Sequence, residues 1–106
     1  GFSNLKITYL GGGPPARTDP GDPFVKLVME TAQDPFGHPM QPVPLTGVSG
    51  PNHAFVHTLG LPVATAGIGY PGANVHAPDE NIRLDLYLAG ARHIVRILQA
   101  FGKQSI

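Results

Sequence analysis

Fourteen glycines and twelve prolines in 106 residues leave this chain room for one long element and several short ones. Glycine carries the largest backbone entropy cost on ordering, and proline has no amide hydrogen to donate, so neither continues a helix or strand comfortably. At this level disorder competes with folding. Here, however, the two residues fall between periodic apolar segments, which reads as loop chemistry in a folded domain.

The segments between them can be taken in turn. Leu5, Ile7 and Tyr9 alternate with Lys6 and Thr8, the period of a half-buried strand, and Gly11-Gly12-Gly13-Pro14-Pro15 ends it. Asp22-Pro23 predicts a helix start, with Phe24, Leu27, Val28 and Thr31 on one face and a stop at Pro35 and Gly37. Met40 to Leu45 is interrupted by Pro42 and Pro44, so a strand there is an edge or irregular one. The turn Gly47–Pro51 leads into a second helix, about Asn52 to Leu59, with Gly60 as its stop. Val63 to Ile68 is small and apolar on both faces, as in a buried strand. After the turn Gly69–Gly72 comes the one long helical pattern, Leu84 to Phe101. Leu84, Leu88, Ala91, Val95 and Leu98 form its expected core stripe, with Arg83, Arg92, Arg96 and Gln99 opposite. Strand, helix, strand, helix, strand, helix is the order of a layered α/β domain. Ligands in such domains sit where strands end and helices begin, which singles out Gly47–Pro51 and Gly69–Glu80.

Length allows one domain with one small core. A formal net charge of zero, with no basic or acidic run, gives no footprint for nucleic acid or for a membrane surface. The absence of cysteine removes disulfides and thiol chemistry and fits a reducing, cytoplasmic setting. No apolar run is long enough to span a bilayer, and no leader pattern is visible. The opening Gly1-Phe2-Ser3-Asn4, without an initiator Met, reads as a piece of something longer.

Several motifs carry chemistry only on paper. Gly67-Ile68-Gly69-Tyr70-Pro71-Gly72 has the letters of a dinucleotide fingerprint, but Pro71 and Pro78 bracket a stretch that cannot start the required helix, so it reads as a turn. Gly47-Val48-Ser49-Gly50-Pro51 is near a nucleophile elbow with its last glycine replaced, and no Asp-then-His completes a triad. At a helix start the same loop could instead offer amides and a hydroxyl to an anion, and an ordinary turn is the other reading. His53 and His57 share a helix face at i, i+4 and could pinch a metal. They lack the glutamate of the metalloprotease helix motif and a third ligand nearby, which favours two solvated side chains. His38 and His93 are expected at the surface. His76 follows a turn, sits among small residues and has Asp79 and Glu80 close by, a setting that suits a metal ligand.

Taken together, Gly47-Val48-Ser49-Gly50-Pro51, Leu59-Gly60-Leu61-Pro62, Gly67-Ile68-Gly69 and His76-Ala77-Pro78-Asp79-Glu80-Asn81-Ile82-Arg83-Leu84-Asp85 resemble the C-terminal end of the two-zinc amidohydrolases. That family includes acetylornithine deacetylase, succinyl-diaminopimelate desuccinylase, carboxypeptidase G and the carnosinase-type dipeptidases, and the dipeptidase-like branch is closest. The resemblance covers nearly the whole chain. It implies the C-terminal portion of a layered αβα catalytic domain (19–106), preceded by the last strand of a lid, or dimerisation, domain (1–10) and a hinge loop (11–18). It implies that His76 is the last zinc ligand, that Gly47 and Ser49 hold the substrate's backbone or carboxylate with Gly50 keeping that loop compact, and that Glu80 orients the site. Asp79 departs from the family's usual Asn and adds a charge there. The family's other ligands and its general base lie outside this chain, so the chain alone is expected to be inactive and to hold neither of the two zinc ions tightly. The implied substrate is a peptide or N-acyl amino acid, and the intact protein a homodimer. The orphaned strand Leu5–Leu10 is expected to pair with another copy or to pack on its own domain.

Overall fold

The computed structural model describes residues 3–47 and 50–104. Three α-helices and one π-helical segment carry the fold: α1 (Pro23–Glu30), α2 (Gln33–Phe36), the π-helix Ala54–Thr58 and α3 (Leu84–Gly102). The start of α1 is the expected one. Asp22 caps it by accepting the Phe24 amide at 2.8 Å, and Pro23 fills a first-turn position whose amide would have had no partner. The run does not stop at Pro35, which is tolerated in the first turn of α2. Gly37 then ends α2 in the left-handed conformation at φ 78°. The second expected helix forms with a π register: the Leu59 amide reaches back to the Ala54 carbonyl at 3.1 Å, and Gly60 stops it at φ 66°.

The core lies where α1 and α2 meet α3. Leu27, Val28 and Ala32 are buried there with His93, while Ala73 is buried within its own loop. Phe24 and Phe101 meet edge to face at 6.0 Å, and Phe36 meets the His93 ring the same way at 5.7 Å. Arg96 reaches Asp34 at 2.7 Å across the α2–α3 contact, an exposed pair that orients more than it stabilises.

Two expectations are corrected here. His93 is not a surface residue: it is 1% exposed, and its Nε2–H donates to the Val28 carbonyl at 2.8 Å. That carbonyl belongs to the last turn of α1, whose acceptors have no helical partner of their own, so the imidazole closes α1 from α3. The second correction concerns the face of α3. The residues turned inward are Leu86, Ala89, Gly90, His93, Ile97 and Ala100. At 3.6 residues per turn these lie opposite the leucine stripe, and Leu84, Leu88, Val95 and Leu98 remain 52–75% exposed.

The expected strands are extended backbone without a ladder among the described residues. Ala66, Ile68 and Tyr70 alternate in burial with Thr65, Gly67 and Gly69 as a half-covered strand would, but no second strand lies beside them. Leu5, Ile7, Tyr9 and Leu10 are at least 66% exposed. A strand is completed by its neighbour's hydrogen bonds, and without one the pattern yields only an extended segment. No helix among the described residues is long and apolar enough to cross a membrane.

Candidate functional site

The segment between the extended stretch and α3 is a compact loop closed on itself. The Asn81 amide donates to the Ala73 carbonyl at 3.0 Å, and the Asn81 side chain donates to the Gly72 and Asp79 carbonyls at 3.1 and 2.9 Å. Its carbonyl oxygen accepts the Tyr70 hydroxyl. The Ala73 and Ala77 amides close two inner turns on Tyr70 and Asn74. One asparagine thus ties residues 70–81 into an Ω-type loop whose ends are held together. Ala73 is the buried floor of that loop.

Its backbone is strained in three places. Asn74, His76 and Asp79 have φ of 50°, 61° and 61°. Asn, Asp and His are the side chains that tolerate the left-handed region best, yet each position still costs on the order of 1 kcal/mol. Such strain persists only where surrounding bonds over-determine the chain, and Asn81 supplies those bonds. The result is that His76 stands exposed on a fixed loop, with Asp79 and Glu80 exposed beside it in sequence. Immediately after the loop, Arg83 Nε donates to Asp85 Oδ1 at 3.1 Å in the first turn of α3. The Arg83 hydrogen bond, aided by the backbone amide of Leu86, holds the Asp85 carboxyl below the ordinary carboxylate range. A carboxylate at a helix N-terminus also complements the dipole.

The second expected loop sits elsewhere. Gly47 and Gly50 are exposed and line an open cavity of about 1250 Å³, together with parts of 13–20, 38–46 and 63–67. Ser49 lies outside the described residues. His76, Asp79 and Glu80 do not line that cavity.

Among the described residues no group of three or more His, Cys, Asp or Glu side chains could hold an ion. His76 is the one expected ligand among the described residues, with Asp79 and Glu80 next to it in sequence. Sequence reasoning singled out His76 and missed Asn81, Asn74 and Tyr70, which shape the loop around it. The available signal was an Asn just before a helix start, but three of its four partners lie eight to eleven positions back.

Comparison with known proteins gives the chain its class. The family model Peptidase_M20, described as peptidase family M20/M25/M40, matches residues 3–100. The chain belongs to that peptidase family, and the match is consistent with an α/β peptidase domain. No curated protein and no solved structure matches it.

Proposed function

We propose that this chain supplies the histidine-bearing loop and the substrate loop of a zinc-dependent amide hydrolase, dipeptidase- or deacylase-like, and that alone it hydrolyses nothing. The observation that carries the reading is His76, held at φ 61° on a loop stapled by Asn81, within a chain that matches a peptidase family over residues 3–100. Backbone strain retained on an exposed loop is a pointer to function, because nothing in packing requires it.

In this reading His76 is one metal ligand, and Asp79 and Glu80 orient its ring and fix its tautomer through hydrogen bonds. The fixed loop limits how far the imidazole can swing, which is what a ligand to a preorganised centre needs. Gly47, Ser49 and Gly50 receive the backbone or terminal carboxylate of a peptide or N-acyl amino acid. The zinc pair, when bound in the intact cytoplasmic enzyme, supplies Lewis acidity for the amide carbonyl and an activated water. The remaining ligands and the general base come from sequence beyond this chain, and the intact protein is a homodimer.

The upstream reading frame decides between this and a non-catalytic α/β domain. A His-x-Asp followed later by Glu-Glu is expected there, and a frame lacking both would sink the proposal. The longer protein is then expected to cleave dipeptides or N-acyl amino acids. His76→Ala should lower its kcat/KM by more than the roughly 10–100-fold cost of disturbing an outer partner. Turnover by the present chain alone would contradict its predicted inactivity.

A further inference from the structure

His53 and His57 are absorbed by neither loop. His57 lies on the π-helical segment and His53 immediately precedes it, with ring centroids 4.5 Å apart and planes inclined by 30°. His53 is half-buried and His57 exposed, and the histidine hydrogen bonds among the described residues belong to His38 and His93. The wider π winding explains the closeness. In an α-helix the fourth residue on is displaced around the axis, whereas a segment closed by i→i+5 bonds brings it nearly above the first. His53 has helical backbone angles (φ −58°, ψ −40°), so both residues belong to one continuous turn, and the Leu59-to-Ala54 bond fixes its register.

We infer that His53 and His57 form a two-imidazole chelate for a borderline divalent cation, separate from His76. Metal–nitrogen bonds of about 2.0–2.1 Å place two adjacent ligand nitrogens about 3 Å apart. With ring centroids 4.5 Å apart, the two side chains reach that spacing by rotating about their own χ angles until each turns an in-plane nitrogen lone pair toward the ion. The donor set is all nitrogen: no Asp or Glu lies between Gly37 and Pro78. It therefore favours Cu²⁺ over Ni²⁺ and Zn²⁺ and rejects Mg²⁺ and Ca²⁺, which require oxygen. No third His, Asp, Glu or Cys gathers with the pair among the described residues, so water completes the coordination and the ion exchanges readily.

The test is calorimetric titration of the whole chain with Cu²⁺, and separately with Mg²⁺, near neutral pH in a non-chelating buffer. One equivalent of Cu²⁺ is expected to bind to the unaltered chain and to H76Q alike. H53Q and H57Q should each weaken it by roughly tenfold or more, because the second imidazole acts at high effective concentration once the first has bound. Paramagnetic broadening of the His53 and His57 ring resonances in the unaltered chain provides a readout that does not depend on any variant folding. Binding that H76Q abolishes, affinity unchanged in H57Q, broadening confined to other histidines, or equal heats with Mg²⁺ would each overturn the inference.

Discussion

Asn81 and His93 do at the scale of single residues what the small core cannot do alone. Each satisfies backbone carbonyls that lie far back in the chain: His93 the end of α1, Asn81 the loop that carries His76. The Val28 carbonyl that His93 meets is buried, where loss of its donor costs about 1–3 kcal/mol, whereas the Gly72 and Asp79 carbonyls that Asn81 meets are exposed and water can replace part of what it supplies. Asn81→Ala removes three exposed side-chain hydrogen bonds while keeping the helix-start backbone, and should lower the opening free energy of the loop by about 1 kcal/mol. Hydrogen exchange should show faster exchange at Ala73 and Ala77 with α3 amides unaffected, and uniform loss across α3 would show that Asn81 does more than staple the loop. That His76 lies in a loop ahead of the last helix was legible in the sequence, since a glycine-rich turn precedes it and Pro78 follows. The two stapling residues were not, because a polar residue on a helix or beside one looks solvated until its distant acceptor is known. His93 was read as a surface residue for that reason.

Among the elements, local signals and tertiary outcomes part company in a consistent way. The Asp22-Pro23 start of α1, the Gly37 and Gly60 stops and the extent of α3 were all legible, because capping and left-handed glycine are decided within a turn. The face that α3 presents was not. The leucine stripe dominates the hydrophobic periodicity, yet the chain docks α3 through Leu86, Ala89, Gly90, His93, Ile97 and Ala100, with Ala89, Gly90 and Ala100 small. Small residues allow close approach, and Gly90 shows how close. A β-carbon added there would lie 2.4 Å from Ile68 Cγ2. Gly90→Ala should therefore destabilise the chain in spite of Ala's helix preference of about 1 kcal/mol, since overpacking of this kind costs about 1–3 kcal/mol. Thermal melting followed by circular dichroism should register the loss, and Ile68→Ala in the same background should recover part of it. Additive effects of the two changes would mean that the contact is not what sets the distance between α3 and the 63–68 segment.

The whole molecule is far more open than its mass predicts. Its accessible surface is 8656 Å², roughly 3,000 Å² above the value expected for a folded monomer of 11.1 kDa. Its radius of gyration is 17.4 Å, against about 13 Å for a compact chain of this length. Its two longest apolar stretches are the segment Leu5–Leu10 and the outer face of α3, with further exposed apolar side chains at Val43, Leu45, Leu59, Leu61, Val75 and Ile82. The strand pattern of the first drew the expectation of self-association there, but the two surfaces are not equal competitors. The Leu5–Leu10 segment carries no regular element and must adopt a strand conformation to pair, at up to about 1–2 kcal/mol per residue, whereas α3 is already helical. Its exposed residues Leu84, Leu88, Ala91, Val95 and Leu98 also repeat at spacings of four and three, the seam that two helices share in a coiled coil. The chain should accordingly associate with rising concentration through α3. Light scattering behind size exclusion should give a mass above 11.1 kDa that falls back to it in Leu88→Lys, a substitution at a position already 55% exposed. Ile7→Lys should leave the association in place. If Ile7→Lys dissolves the assembly and Leu88→Lys does not, the N-terminal segment is the sticky surface. If the unaltered chain stays monomeric throughout, the open form is stable without cover.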